Sequence, residues 1–179
     1  MRPKRDTLLD LSANIVVLAV DTARRSGWAI RHAHRLKYSG EIDTLDYEGL
    51  EQVCALAANI SRNVYLPRSP VLVLERPWGG RLNVLVALGM ARERWCAAWA
   101  RVGLPAARIA SAYPSQWRAA VLAHGAHRLP REAVRERERL SAQAEVRKGV
   151  ELGADECAAI LMSKWATRAK HIARMGGHR

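Results

Sequence analysis

The run Ile15 to Ile30, IVVLAVDTARRSGWAI, constrains the fold of this chain more than any other stretch. Its β-branched and aliphatic residues are too few to span a membrane, and they end in a carboxylate, Asp21, followed by a small basic turn from Thr22 to Gly27. The pattern predicts a buried strand that delivers one acid to its end. A second apolar strand starts at Trp28, so the two are expected to form an antiparallel hairpin with Gly27 at its corner. Arg35 to Ile42, where Leu36, Tyr38 and Gly40 alternate with polar residues, predicts a third strand. An ionised Asp beside an apolar strand is costly unless a metal, a basic partner or a hydrogen-bond cage compensates it. The bland alternative is an Asp that caps the turn.

The design recurs further on. Asp46 opens a helix expected from Tyr47 to about Val64, closed by Pro67 and Pro70, and then VLVLERPWGG, Val71 to Gly80, predicts a second buried strand ending in Glu75. A long helix from about Arg81 to Arg101 carries Leu85, Leu88, Met90, Trp95, Cys96 and Trp99, a face wide enough for either a dimer seam or a central core helix. A short strand, Arg108 to Ala112, precedes a helix starting near Pro114 and Ser115 and ending at Leu122. His124 to Pro130 reads as a loop, and the alternating charges of Arg131 to Lys148 read as a solvated helix of low functional content. The last helix is expected from Ala154 to about Arg174, with Asp155 in its first turn. This order predicts one α/β domain over 13–174, with a basic leader, 1–12, and a short basic tail, 175–179.

Charge narrows the partner. The 179 residues carry 29 Lys and Arg against 17 Asp and Glu, a net charge of +12, which suits a polyanion and above all nucleic acid. No apolar run reaches the roughly 20 residues of a membrane helix, and no signal peptide is recognisable, so a cytoplasmic protein is expected. Cys54, Cys96 and Cys157 lie too far apart for a disulfide framework or a zinc knuckle and are expected to be buried. Neither His32 with His34 nor His124 with His127 has a third zinc ligand in register.

Asp21, Glu75 and Asp155 thus occupy matching places, two at strand ends and one at a helix start. If the first and fourth strands are neighbours, their carboxyl ends converge where open α/β sheets bind ligands. Clustered oxygen ligands in a basic protein favour Mg²⁺ or Mn²⁺ over Zn²⁺, and two such ions about 4 Å apart can serve phosphodiester hydrolysis.

On these segments the chain resembles the RuvC-type Holliday junction resolvases of the RNase H-like superfamily. The likeness runs from Ile15 to about Ala166 and rests on VLAVDTARRSGWAI, VLVLERPW, LGMARERWCAAW, PSQWRAAVLAHG and ADECAAIL in that order. It implies an RNase H-like α/β fold: a central mixed sheet, an antiparallel three-strand meander plus parallel strands, flanked by helices. It implies catalytic and metal-holding acids at Asp21, Glu75 and Asp155, two Mg²⁺ ions per site with Mn²⁺ as a substitute, and a homodimer acting on four-way DNA junctions in a bacterial cell or phage-infected host. The products would be symmetric nicks with 5′-phosphate and 3′-hydroxyl ends.

The family's fourth metal residue stands three positions before the last Asp, where this chain has Leu152. Glu151, four residues before Asp155 and on the same face of a continuous helix, is the expected substitute, while Glu156 points elsewhere. Trp78 sits where the family places a wedge between base stacks, and Arg118 where it places a cation beside the scissile phosphate. Arg128 or Arg131 fills a second basic position, and Arg24, Arg25 and Arg81 are further expected DNA contacts. A broader nuclease for flaps and forks and a non-catalytic branched-DNA binding protein, suggested by Leu152, are the rival readings. An actin-like ATPase would need glycine-rich phosphate loops that ARRSG lacks.

Overall fold

The computed structural model describes residues 8–10, 15–63, 69–77, 80–122, 129–146, 149–169 and 171–173. Its elements are β1 (Leu8–Asp10), β2 (Val16–Asp21), β3 (Arg25–His32), β4 (Arg35–Asp43), α1 (Tyr47–Asn63), β5 (Val71–Glu75), α2 (Leu82–Arg101), β6 (Ile109–Ala112), α3 (Pro114–Val121), α4 (Arg131–Gln143), α5 (Ala154–Ala166) and β7 (His171–Ala173). Five strands form one mixed sheet in the order β4-β3-β2-β5-β6. β2, β3 and β4 pair antiparallel, while β5 and β6 run parallel to β2. Among the described residues no helix is long and apolar enough to cross a membrane.

The apolar runs are continuous because both faces of the sheet are covered. Val16, Leu18 and Val20 with Leu72 and Leu74 pack toward α1 and α2, against Leu50, Cys54, Trp95 and Trp99. Val17 and Ala19 with Val71 and Val73 pack the other way, toward Trp117 of α3, Ala142 of α4 and the buried run Cys157 to Met162 of α5. Side chains alternate along a strand, so Asp21 continues the series 17, 19 and Glu75 the series 71, 73. Both acids therefore face the α3–α5 layer. The three cysteines are free thiols on helices, Cys54 and Cys157 buried and Cys96 half-buried.

Three expectations are corrected. Gly27 is not the corner of the hairpin: the turn is Thr22–Arg24, closed by the Ser26 hydroxyl, which accepts from the Ala23 N–H at 3.2 Å, and Gly27 lies inside β3 opposite Asp21. Within the basic leader, β1 pairs antiparallel with β7. β7 in turn shows that the last helix stops at Ala166 rather than near Arg174; no Gly or Pro marks that stop, and strand pairing takes over. Helix α4 is not merely solvated, since Glu138 and Ala142 are buried. As for α2, its second half is core, whereas Leu82, Val84, Val86 and Met90 in its first half are exposed.

A charged clamp fixes the α3–α5 layer to the sheet. Arg31 of β3 is 1% exposed; its Nε donates to Ser163 Oγ at 3.1 Å and its Nη2 to Glu145 at 3.0 Å, and Lys164 also bonds Glu145. Burial opposes the charge on Glu145, but the hydrogen bonds from Lys164 and Arg31, with their charges, outweigh it and hold the carboxyl below its ordinary value. A carboxyl whose folded pKa is depressed stabilises the fold above its unfolded pKa and loses that contribution as pH falls through the folded value. The stability gap between wild type and Glu145→Gln is therefore expected to be widest at neutral pH and to close on acidification below the ordinary carboxylate range. Urea unfolding of both proteins across that range measures it, and a pH-independent gap would contradict the clamp.

Candidate functional site

Parallel pairing of β2 with β5 brings Val20 opposite Leu74, so Asp21 and Glu75 leave the sheet side by side. Glu75 is held from several directions. Its Oε1 accepts from the Trp117 indole N–H at 2.9 Å, and its backbone carbonyl accepts from Thr22 Oγ1 at 3.2 Å and Arg92 Nη1 at 2.8 Å. Asp155 comes from the first turn of α5, which lies so close to β3 that a Cβ on Gly27 would fall 2.0 Å from the Asp155 carbonyl carbon. Gly27 pairs with Asp21 on one side and with Glu41 of β4 on the other, leaving a gap in that row which the α5 start fills.

The acids press on one another electrostatically. Burial, then the charge of Glu75, a hydrogen bond with it and the charge of Asp155 push the Asp21 carboxyl well above its ordinary value, against the opposing charge of Arg118. Burial followed by Glu41 raises Asp155 as well; Arg135 opposes and Glu75 adds. Arg118 stacks over the Trp117 ring at 4.7 Å, and its Nε donates to Glu138 at 2.6 Å. Burial works against its charge, but Glu138, Glu75 and Asp21 together strengthen it. Above this group opens a cleft of about 660 Å³ walled by Asp21, Asp155, Arg118, Arg131, Arg135 and Glu138.

Asp21, Glu75, Asp155 and Arg118 thus come together at one end of the sheet, and Arg131 lines the same cleft. Arg24 and Arg25 lie beside that sheet end, exposed, with Arg25 paired to Glu41 at 3.0 Å and Arg24 near Asp43. Arg81 is exposed just before α2. Trp78 and Arg128 lie outside the described residues. Glu151 does not share a helical face with Asp155, because α5 begins at Ala154 and Glu151 sits exposed in the preceding coil. Leu152 packs at the core edge, and Glu156 is engaged by Ser39 Oγ at 2.7 Å.

Reasoning from the sequence passed over Glu138, Arg135, Trp117 and the role of Gly27. A signal existed for Glu138: with Val134 and Ala142 it recurs every four residues, an acid placed in the inward stripe of the helix.

The mixed five-stranded sheet with helices on both faces is shared with solved structures. RuvC of Thermus thermophilus, in complex with a Holliday junction substrate, superposes with a TM-score of 0.60 at 16% identity, covering 89% of this chain and 99% of that one. The fold is that of RuvC. A second Thermus thermophilus RuvC structure gives 0.57 at 16% identity with the same coverage. No protein-family model and no curated protein sequence matches the chain. The RuvC fold accounts for the mixed five-stranded sheet and its flanking helices.

The donor set of Asp21, Glu75 and Asp155 is all oxygen, which fits a hard divalent cation such as Mg²⁺ or Mn²⁺. Among the described residues no three His, Cys, Asp or Glu side chains stand ready as a ligand cage. Asp21 and Glu75 instead leave neighbouring strands side by side, where burial and the charge of Glu75 raise the Asp21 carboxyl and a bound cation would offset that repulsion.

Proposed function

We propose that the protein is a metal-dependent endonuclease that resolves four-way DNA junctions by paired nicks. The observation carrying this reading is the convergence of Asp21, Glu75 and Asp155 at the sheet end of a RuvC fold, beneath a cleft that Arg118, Arg131 and Arg135 help to wall. Mutually repelling carboxylates are an expensive thing to bury in a protein that merely grips a polyanion, and they suit one that recruits cations to a phosphodiester.

In this reading Asp21, Glu75 and Asp155 hold the cations, two per site, which supply Lewis-acid activation of water and charge stabilisation at phosphorus. Trp117 keeps one Glu75 oxygen pinned, so the carboxylate presents the other in a fixed direction. Arg118 faces the scissile phosphate and stabilises the charge that grows on its oxygens. Water adds to phosphorus as the bond to the 3′ oxygen breaks, leaving a 5′-phosphate and a 3′-hydroxyl. Arg131, Arg135, Arg24, Arg25 and Arg81 take the flanking phosphates. The exposed Leu82, Val86 and Met90 face of α2 is assigned to a second copy, which puts two sites on one junction.

Incubating the protein with an end-labelled four-way junction, a flap and a matched linear duplex, each with and without Mg²⁺, tests the whole reading. Mg²⁺-dependent nicks paired across the junction and absent from the duplex are expected. Equal cutting of flap and junction would replace it with the broader branched-DNA nuclease. Tight junction binding with no cutting under Mg²⁺ or Mn²⁺ would make the protein a non-catalytic branched-DNA binder, the rival that Leu152 suggests.

A further inference from the structure

We propose that Glu138 is a positioning residue of this site: it holds Arg118 by Nε and keeps the guanidinium from collapsing onto Asp21 and Glu75. The inference rests on the nuclease reading given above. Glu138 is 5% exposed on a helix whose neighbouring charges are solvated, and a carboxylate buried to that degree needs a partner. Its partner is Arg118 alone among the described residues, through a 2.6 Å bond to Nε. The Trp117 ring covers one face of the same guanidinium. An edge bond at Nε and a stacked face together fix the plane of the group and leave both Nη nitrogens outside the bond.

That arrangement matters because of what else surrounds Arg118. Asp21 and Glu75 both act on its charge, and two adjacent carboxylates are the natural bidentate target of a guanidinium. An arginine seated on them would occupy the place where a cation has to bind. Glu138 competes for Arg118 through the Nε bond and lines the same cleft as Asp21 and Asp155. The acid pair is thereby left to the cation, and the Nη groups to a phosphate oxygen. Glu138 touches neither reacting atom and acts only through Arg118.

The test compares wild type, Glu138→Gln, Arg118→Ala and the double variant. It uses single-turnover cutting at saturating protein, junction affinity without divalent ion, and Mn²⁺ binding by calorimetry without DNA. Glu138→Gln is expected to cut about 100-fold more slowly with little change in junction affinity. It is expected to bind Mn²⁺ about tenfold more weakly. In the double variant the Mn²⁺ affinity returns, and the cutting rate equals that of Arg118→Ala, because no arginine is left to misplace. Glu138→Asp, which keeps the charge, recovers part of the rate and serves if the Gln variant fails to fold. Cutting by Glu138→Gln at the wild-type rate, losses that multiply in the double variant, or one Mn²⁺ affinity for all four proteins would each overturn the inference. Wild type that cuts no branched DNA overturns the nuclease reading instead, and the Mn²⁺ titration still decides the arrangement of Glu138 and Arg118.

Discussion

Asp21→Asn is expected to lower junction cutting by about a thousandfold or more while leaving junction binding intact. Asp21 ends a strand buried on both sides, and it is the acid most strongly pushed toward its neutral form by burial and by Glu75. A cation bound there would relieve the repulsion between the two carboxylates, and a carboxamide cannot replace Asp21 as a charged ligand. The phosphate contacts proposed for Arg118, Arg131 and Arg135 do not pass through Asp21, so affinity is expected to hold. Metal-free stability should not fall, because the substitution keeps the side chain's shape, removes one of two facing acids and gives Glu75 an N–H to accept from. The two readouts point in opposite directions, cutting lost and thermal midpoint kept or raised in EDTA, which separates a site residue from a structural one. Normal cutting by Asp21→Asn would remove all three acids from candidacy.

The acids at the strand ends were legible because their signal is local. Four or five consecutive aliphatics must be buried on both faces, and a carboxylate ending such a run has to lie where the strands leave the sheet. Parallel neighbours then put Asp21 beside Glu75. Asp155 was legible as the first-turn acid of a helix, but its approach to the other two depends on Gly27. A glycine after a basic turn reads as a hairpin corner, and only the packing of α5 shows that it is a gap left for another backbone. The helical-face argument for Glu151 fails for a related reason. Spacing along a helix has meaning only where the helix exists, and α5 begins three residues too late. Glu138 was hidden by its neighbours, since an acid among alternating charges looks solvated until the one partner 20 residues earlier, Arg118, is seen beside it. The pairing of β1 with β7 joins the two ends of the described chain, and no local pattern reports a contact of that range.

Gly27→Ala is expected to destabilise the protein by about 1–3 kcal/mol and to slow cutting by about 100-fold, out of proportion to one added methyl group. The new Cβ would stand 2.0 Å from both the carbonyl carbon and oxygen of Asp155 and 2.3 Å from the Glu156 nitrogen. All three are backbone atoms of a helix start, so no side-chain rotation relieves the overlap. The strand cannot retreat, because Gly27 is paired with Asp21 on one side and Glu41 on the other. The first turn of α5 must therefore lift, and the cost is set by what that helix buries: Cys157 through Met162 all lie in the core. Asp155 moves with the turn and leaves Asp21 and Glu75, which is why activity suffers more than stability. Gly40→Ala on the adjacent strand is the matched control. There a Cβ meets only the Trp28 ring, at 3.2 Å, and a side chain can shift by a few tenths of an ångström. Urea unfolding and single-turnover cutting of the two variants should separate them clearly. If Gly27→Ala unfolds and cuts as Gly40→Ala does, α5 does not rest on β3 as described, and Asp155 loses its place beside the other two acids.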